Sequence, residues 1–283
     1  MDKTLTTKIK GVAILIMLFL HLFNKSKDYI SFLKINGEPL FHLLSKYTMI
    51  CVPFYLILGG YGLYKTYEKN KNNISLKKNF SRVFLLYCNL WIVLAVFVSI
   101  GSFIKPEKYP GDISTFLLNF IGLECSYNFE WWFLLPYSIL MFFTPIIFKL
   151  IDRFKLYFVF FTLILGYAVS FYISIKVKNN INHNQILELL ITTISLLSAF
   201  TIGAFEAKMN FFSKLNQKIN KSIIIPIALI ILLVFISVIN PKPFALTTLI
   251  AWGSFYAWGF LINNLDFKKS ILPKIRNYHP IHD

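Results

Sequence analysis

Negative charge is scarce in this chain, with 13 Asp and Glu against 29 Lys and Arg in 283 residues, and only 15% of positions are charged at all. Cysteine is scarcer. Cys51 and Cys88 lie inside apolar runs and Cys125 in a polar link, an odd set without a CxxC pair. Such a set supports neither a disulfide framework nor a zinc site, so no metal is expected. GxSxG, P-loop and HExxH patterns are also missing, which removes the soluble hydrolase, nucleotide-loop and zinc-protease chemistries they carry. No internal repeat and no low-complexity linker breaks the sequence, so 1–283 reads as a single domain.

What fills the chain is apolar. The hydrophobic share is 56% and the mean hydropathy +0.61, more than a soluble core of this size can bury. The expected partner is a lipid bilayer, and the expected fold is all-α, a polytopic helical bundle. An aromatic share of 18%, with 30 Phe, 15 Tyr and 5 Trp, suits lipid-facing helices edged by interfacial rings. The formal charge of +16 would suggest nucleic acid in a soluble protein. Here the basic residues fall in short links between apolar runs, so they read as topology determinants and no nucleic-acid partner is expected.

The first residues imitate a secretory signal, with Lys3, Lys8 and Lys10 before an apolar stretch from Val12 to Leu20. His21, Leu22, Phe23, Asn24 and Lys25 follow in place of a small-residue cleavage site, so this stretch reads as an uncleaved first span. Runs near the length of about 20 residues that crosses hydrocarbon fall at 9–23, 41–64, 83–104, 131–150, 156–176, 186–207, 222–240 and 243–263, about eight in all.

Basic residues beside spans are retained in the cytoplasm. Lys65, Lys69, Lys71, Lys77, Lys78 and Arg82 surround the second link, and Lys149, Arg153 and Lys155 the fourth. Lys208, Lys214, Lys218 and Lys221 surround the sixth, and Lys268, Lys269, Lys274 and Arg276 follow the last span. The link between spans three and four instead mixes Lys105 and Lys108 with Glu107, Asp112, Glu124 and Glu130, the composition of an external loop. The reading is a multi-pass cell-membrane protein with both termini cytoplasmic.

Ionisable groups in spans are functional suspects. Lys10 and His21 are eleven positions apart, which is about three turns plus 20°, so one helix carries them on one face roughly 16 Å apart. Two readings stand side by side. Lys10 is either a snorkelling anchor or a cation for an anionic donor, and His21 is either an interfacial histidine or a general base. Lys78 and Arg82, four apart and neighbours on an early-starting helix, read as further anchors. Glu130, Trp131 and Trp132 open the fourth span, where they read as an interfacial belt. Gly59 and Gly60 suit close helix approach, and Glu188 and Glu206 read as interfacial ends of the sixth span.

The stretch KIKGVAILIMLFLHLF resembles the first span of the acyltransferase-3 family, marked by Arg or Lys, ten residues, then His, and Lys10 and His21 fill these positions. VPFYLILGGYGLYK from Val52, the run LKKNFSRVFLLY and WWFLLPYSILMFFTPII from Trp131 match in order. Gly59, Gly60 and Tyr61 replace the family's Ser-Gly-Tyr, and its RxxR-like motif is reduced to Lys77, Lys78 and Arg82. The resemblance implies transfer of an acyl group, commonly acetyl from acetyl-CoA, to a hydroxyl of a cell-surface or exported polysaccharide. On it, His21 and Glu130 are catalytic, Lys10, Lys78 and Arg82 hold the donor, and Trp131 and Trp132 receive the carbohydrate acceptor. Family members usually have about ten spans, so the expectation is either a truncated sequence or a chain without the family's last helices. The rival reading is a transporter or flippase of a glycan or small solute, using His21 along a polar path.

Overall fold

A computed structural model describes residues 1–25, 33–70, 74–178, 185–218, 222–239 and 244–276, and side chains within these except 173–178, 244–245 and 267–276. Helices lie at all eight positions where spans are expected. Among the described residues, Lys3–Phe23, Leu40–Lys69, Leu76–Ile104, Phe129–Phe154 and Gln185–Met209 are long and apolar enough to cross a membrane. Leu156–Tyr172 and Ile224–Ile239 are shorter apolar helices. The chain packs as two units, Met1–Leu63 with Ala199–Asp283, and Tyr64–Ser198.

In the first unit, α1 (Lys3–Phe23) starts on Asp2, whose carboxylate accepts the Leu5 N–H at 2.7 Å. Leu5, Ile9, Ala13 and Ile16 form its buried stripe, while Leu15 and Leu18 remain outward as lipid-facing residues do. A small hairpin follows, β1 (Lys34–Ile35) and β2 (Glu38–Pro39). Asn36 and Gly37 turn it with φ of 51° and 82°, the left-handed pair that matches strand twist.

The second expected span, 41–64, is two helices, α2 (Leu40–Thr48) and α3 (Cys51–Lys69). Pro53 explains the break, because it has no N–H for the Met49 carbonyl and its ring would strike that carbonyl. Helix α8 (Gln185–Met209) crosses α3 backbone to backbone where Gly60 meets Phe200 and Ala204, and Gly203 meets Ile57. Asn210, with φ of 52°, ends α8 before α9 (Phe211–Lys218). Then α10 (Ile224–Ile239) packs on α2 and α11 (Phe244–Arg276), and α11 also packs on α1. Polar ties fix α11: Tyr47 donates to Ser254 Oγ at 3.0 Å, and Lys8 pairs with Asp266 at 2.6 Å.

In the second unit, α4 (Leu76–Ile104) begins on Ser75, earlier than the expected start at 83, so Lys77, Lys78 and Arg82 are helical. Buried Asn79 ties it to α6 (Leu134–Phe154) by donating to the Met141 carbonyl at 2.9 Å and Thr144 Oγ1 at 2.8 Å. At the other end of α6, Asp152 accepts from Tyr64 at 2.5 Å and from Tyr67 at 2.9 Å. Helix α7 (Leu156–Lys178) packs on α6. Between α4 and α6 lie α5 (Ile113–Phe120), capped by Asp112, and a 3-10 turn over Phe129–Phe133. The Trp pair therefore precedes α6 instead of opening it.

Candidate active site

Lys10 and His21 sit on one uninterrupted helix, and both are exposed within their unit. Their common face lies about 110° around α1 from the Leu5–Ile16 stripe. His21 falls in the last turn of α1. On the other side of this end, His42 shares a hydrogen bond of 3.2 Å with the Phe23 carbonyl, and the Phe23 ring meets Phe41 at 5.1 Å.

Glu206 departs from the interfacial reading. It lies within a turn of the end of α8, yet it is buried, with Oε1 accepting from Trp252 Nε1 at 2.7 Å and from Tyr256 at 2.5 Å. Two donors four apart on one face of α11 draw the carboxyl inward, and counting apolar residues along α8 alone cannot see them.

The remaining candidates belong to the second unit. Lys78 and Arg82 are exposed one turn apart near the start of α4, and Arg82 Nη1 donates to Asn79 Oδ1 at 3.2 Å. Glu130 is exposed on the 3-10 turn, whose cap Asn128 accepts the Glu130 N–H at 3.1 Å. Trp131 and Trp132 diverge. Trp131 packs against a cluster of Leu90, Leu94, Val98 and Tyr127, whereas Trp132 lines a cleft of about 350 Å³.

Helix α4 holds the wall of this cleft. Tyr87 donates to the Ile121 carbonyl at 2.8 Å and Trp91 Nε1 to the Phe120 carbonyl at 3.0 Å. Buried Asn119 closes the loop, donating to the Thr115 carbonyl at 2.9 Å and Ser126 Oγ at 2.8 Å and accepting from Tyr127 N at 3.3 Å. At the start of α5, the Thr115 hydroxyl and backbone hold the Asp112 carboxyl below the usual carboxylate range. Glu124, Ser126, Gln185, Glu188 and Thr192 add polar groups to the cleft, beside Trp132 and Phe129.

Cys125 also lines the cleft, but burial, with the Glu124 charge beside it, pushes its thiol up to about 11. It is therefore protonated at neutral pH and is no thiolate nucleophile. Sequence reading missed Glu124, Gln185 and Glu188 as neighbours because the residues before α6 and the first turn of α8 are joined only by folding.

Residues 9–275 match the acyltransferase domain of the acyltransferase-3 family. The chain belongs to the acyltransferase-3 family. Membership together with the long apolar helices makes this a membrane acyltransferase. No curated protein sequence and no solved structure matches the chain. For an acyltransferase-3 protein, the described geometry offers one cationic and one imidazole group on α1, a cationic pair at the foot of α4, and a polar, aromatic cleft farther along α4. Among the described residues, no three His, Cys, Asp or Glu gather closely enough to hold a metal ion.

Proposed function

We propose that this acyltransferase moves an acetyl group from acetyl-CoA to a hydroxyl of a cell-surface or exported polysaccharide. The observation that carries the reading is α1 itself, continuous from Lys3 to Phe23 with Lys10 and His21 on one exposed face. Lys10 is the donor-phosphate contact of the first unit, and Lys78 and Arg82 are the donor-binding pair of the second. His21 takes the proton of the acceptor hydroxyl as its oxygen attacks the thioester carbonyl. The tetrahedral intermediate expels the coenzyme thiolate, which takes up the proton, leaving an acetyl ester and free thiol. Glu130 orients the acceptor, and Trp132 offers the sugar an aromatic face, while Trp131 packs against the Leu90 cluster.

The test uses the full chain in detergent with acetyl-CoA and glycan isolated from the host surface. Free thiol and base-labile acetyl ester should appear together in equal amounts. A flippase or transporter cleaves no thioester, so absence of both products with intact protein overturns the reading.

The protein resides in the cell membrane with its N-terminus cytoplasmic, as the basic links favour. The link holding Cys125 then faces outward. With Cys51 and Cys88 replaced by Ala, a membrane-impermeant maleimide should label Cys125 in intact cells. The thiolate is the reacting form, so the rate should rise about tenfold per pH unit between pH 7 and 9, from a thiolate fraction near one in ten thousand to one in a hundred. Labelling only in inverted vesicles would reverse the orientation, and a rate flat with pH would contradict the raised thiol.

A further inference from the structure

The corner between α6 and α7 holds a group of side chains that acyl transfer does not use. Helix α6 ends at Phe154, Lys155 turns the chain with φ of 50°, and α7 starts at Leu156. Leu150 and Phe154 of α6 and Tyr157, Phe158 and Phe161 of α7 line a groove there of about 410 Å³. That volume lies within the range of ligand pockets, roughly 300–1,000 Å³. The groove opens outward, since Tyr157 is 83% and Phe161 58% exposed. An exposed aromatic surface on a membrane helix is by itself only a face toward lipid chains.

Charge at its rim makes this surface selective. The guanidinium carbon of Arg153 lies 5.2 Å from the centre of the Phe154 ring, so a cation stands against one wall of the groove. Lys149 is four residues earlier on the same flank of α6, Lys155 forms the corner, and all three are exposed. Among the described residues none of the three forms an ion pair. The single acid in 149–161 is Asp152. It lies about 200° around α6 from Leu150 and accepts from Tyr64 and Tyr67. The rim is therefore cationic and is not neutralised by its own helix.

An apolar slot with unpaired cations at one end matches an anionic phospholipid, whose phosphate accepts from guanidinium and ammonium groups while its chain stays in the hydrocarbon. An acyl-CoA also joins phosphates to a chain. Its adenosine, however, would find one polar side-chain group in this groove, the Tyr157 hydroxyl, so the lipid is the better match.

We infer that the α6–α7 corner is a binding site for one anionic phospholipid, with its phosphate on the Lys149, Arg153 and Lys155 cluster and an acyl chain in the groove. The site is independent of the acyl-transfer reading, and binding alone tests it. Native mass spectrometry of the delipidated full chain in detergent would follow titration with dioleoyl phosphatidylglycerol and with dioleoyl phosphatidylcholine.

The first phosphatidylglycerol should bind at least tenfold more tightly than the first phosphatidylcholine. Arg153→Gln with Lys155→Gln should weaken phosphatidylglycerol about tenfold and leave phosphatidylcholine within about twofold. Lys105→Gln with Lys108→Gln removes the same charge elsewhere in the unit and should leave the preference intact. Tyr157→Ala with Phe161→Ala strips the groove wall while keeping the cations, and should weaken phosphatidylglycerol at least fivefold. All six side chains are exposed, so these changes open no core cavity.

Equal binding of the two lipids, equal losses from the two charge-removing pairs, or unchanged binding after the wall is stripped overturns the inference. Palmitoyl-CoA displacing phosphatidylglycerol at a tenth of the lipid's own competing concentration would give the groove to an acyl donor and overturn it as well.

Discussion

Replacing His21 with Ala should lower turnover at saturating donor by about a hundredfold or more, the usual contribution of a positioned general base. Acetyl-CoA binding should stay within about twofold, because the imidazole acts on the acceptor proton and not on the donor phosphates. Lys10→Ala should fail differently. It removes a charge-assisted contact worth roughly 1.5–3 kcal/mol, so donor affinity should fall about tenfold to a hundredfold. Lys10→Arg keeps the charge and should retain much of the activity. Both residues are exposed within their unit and lie off the α1 stripe, so neither change opens a cavity in its core. Donor affinity measured by titration and turnover measured at saturating donor separate the two roles. Loss of donor binding with normal turnover in His21→Ala, or wild-type rates in both variants, would leave Lys10 as an anchor and His21 as an interfacial histidine.

The part of the candidate site whose geometry was legible from sequence is the part held within one helix. Lys10 and His21 need only the helical repeat to share a face, and Lys78 with Arg82 needs only an α4 that begins before them, which the Ser75 cap provides. Helix positions were legible for a similar reason, since a run that must satisfy its backbone in lipid has few alternatives to a helix. Local chemistry also contained signals that went unused. Asn36–Gly37 marks the hairpin and Pro53 marks the break between α2 and α3. Contacts between distant segments were not legible. Nothing near Glu206 in sequence announces Trp252 and Tyr256, and nothing near Trp132 announces Gln185 and Glu188. The adjacent Trp131 and Trp132 also look alike as letters. Their fates separate because successive residues of a 3-10 turn point about a third of a turn apart, one toward the Leu90 cluster and one into the cleft.

The close approach of α3 and α8 leads to an equally large expected effect on folding. A methyl at Gly203 would fall onto the Ile57 carbonyl oxygen, with the Ile57 carbonyl carbon at 2.7 Å and Cα at 2.8 Å. On the facing helix, a methyl at Gly60 would strike the Phe200 carbonyl, with Ala204 N at 3.1 Å. These obstacles are backbone atoms, so no rotamer change relieves them and the helices must separate. Ordinary overpacking costs about 1–3 kcal/mol, and separation here also loosens the fully buried Leu56, Phe54 and Phe200. Gly203→Ala should therefore lower the melting temperature of the detergent-solubilised protein markedly, and Gly203→Val should prevent recovery of monodisperse protein. Gly62→Ala is the control on α3, since a methyl there meets nothing within 4 Å. Alanine should even favour the helix at that position, by up to about 1 kcal/mol. If Gly203→Ala and Gly62→Ala melted together, the backbone crossing would not be what holds α3 to α8.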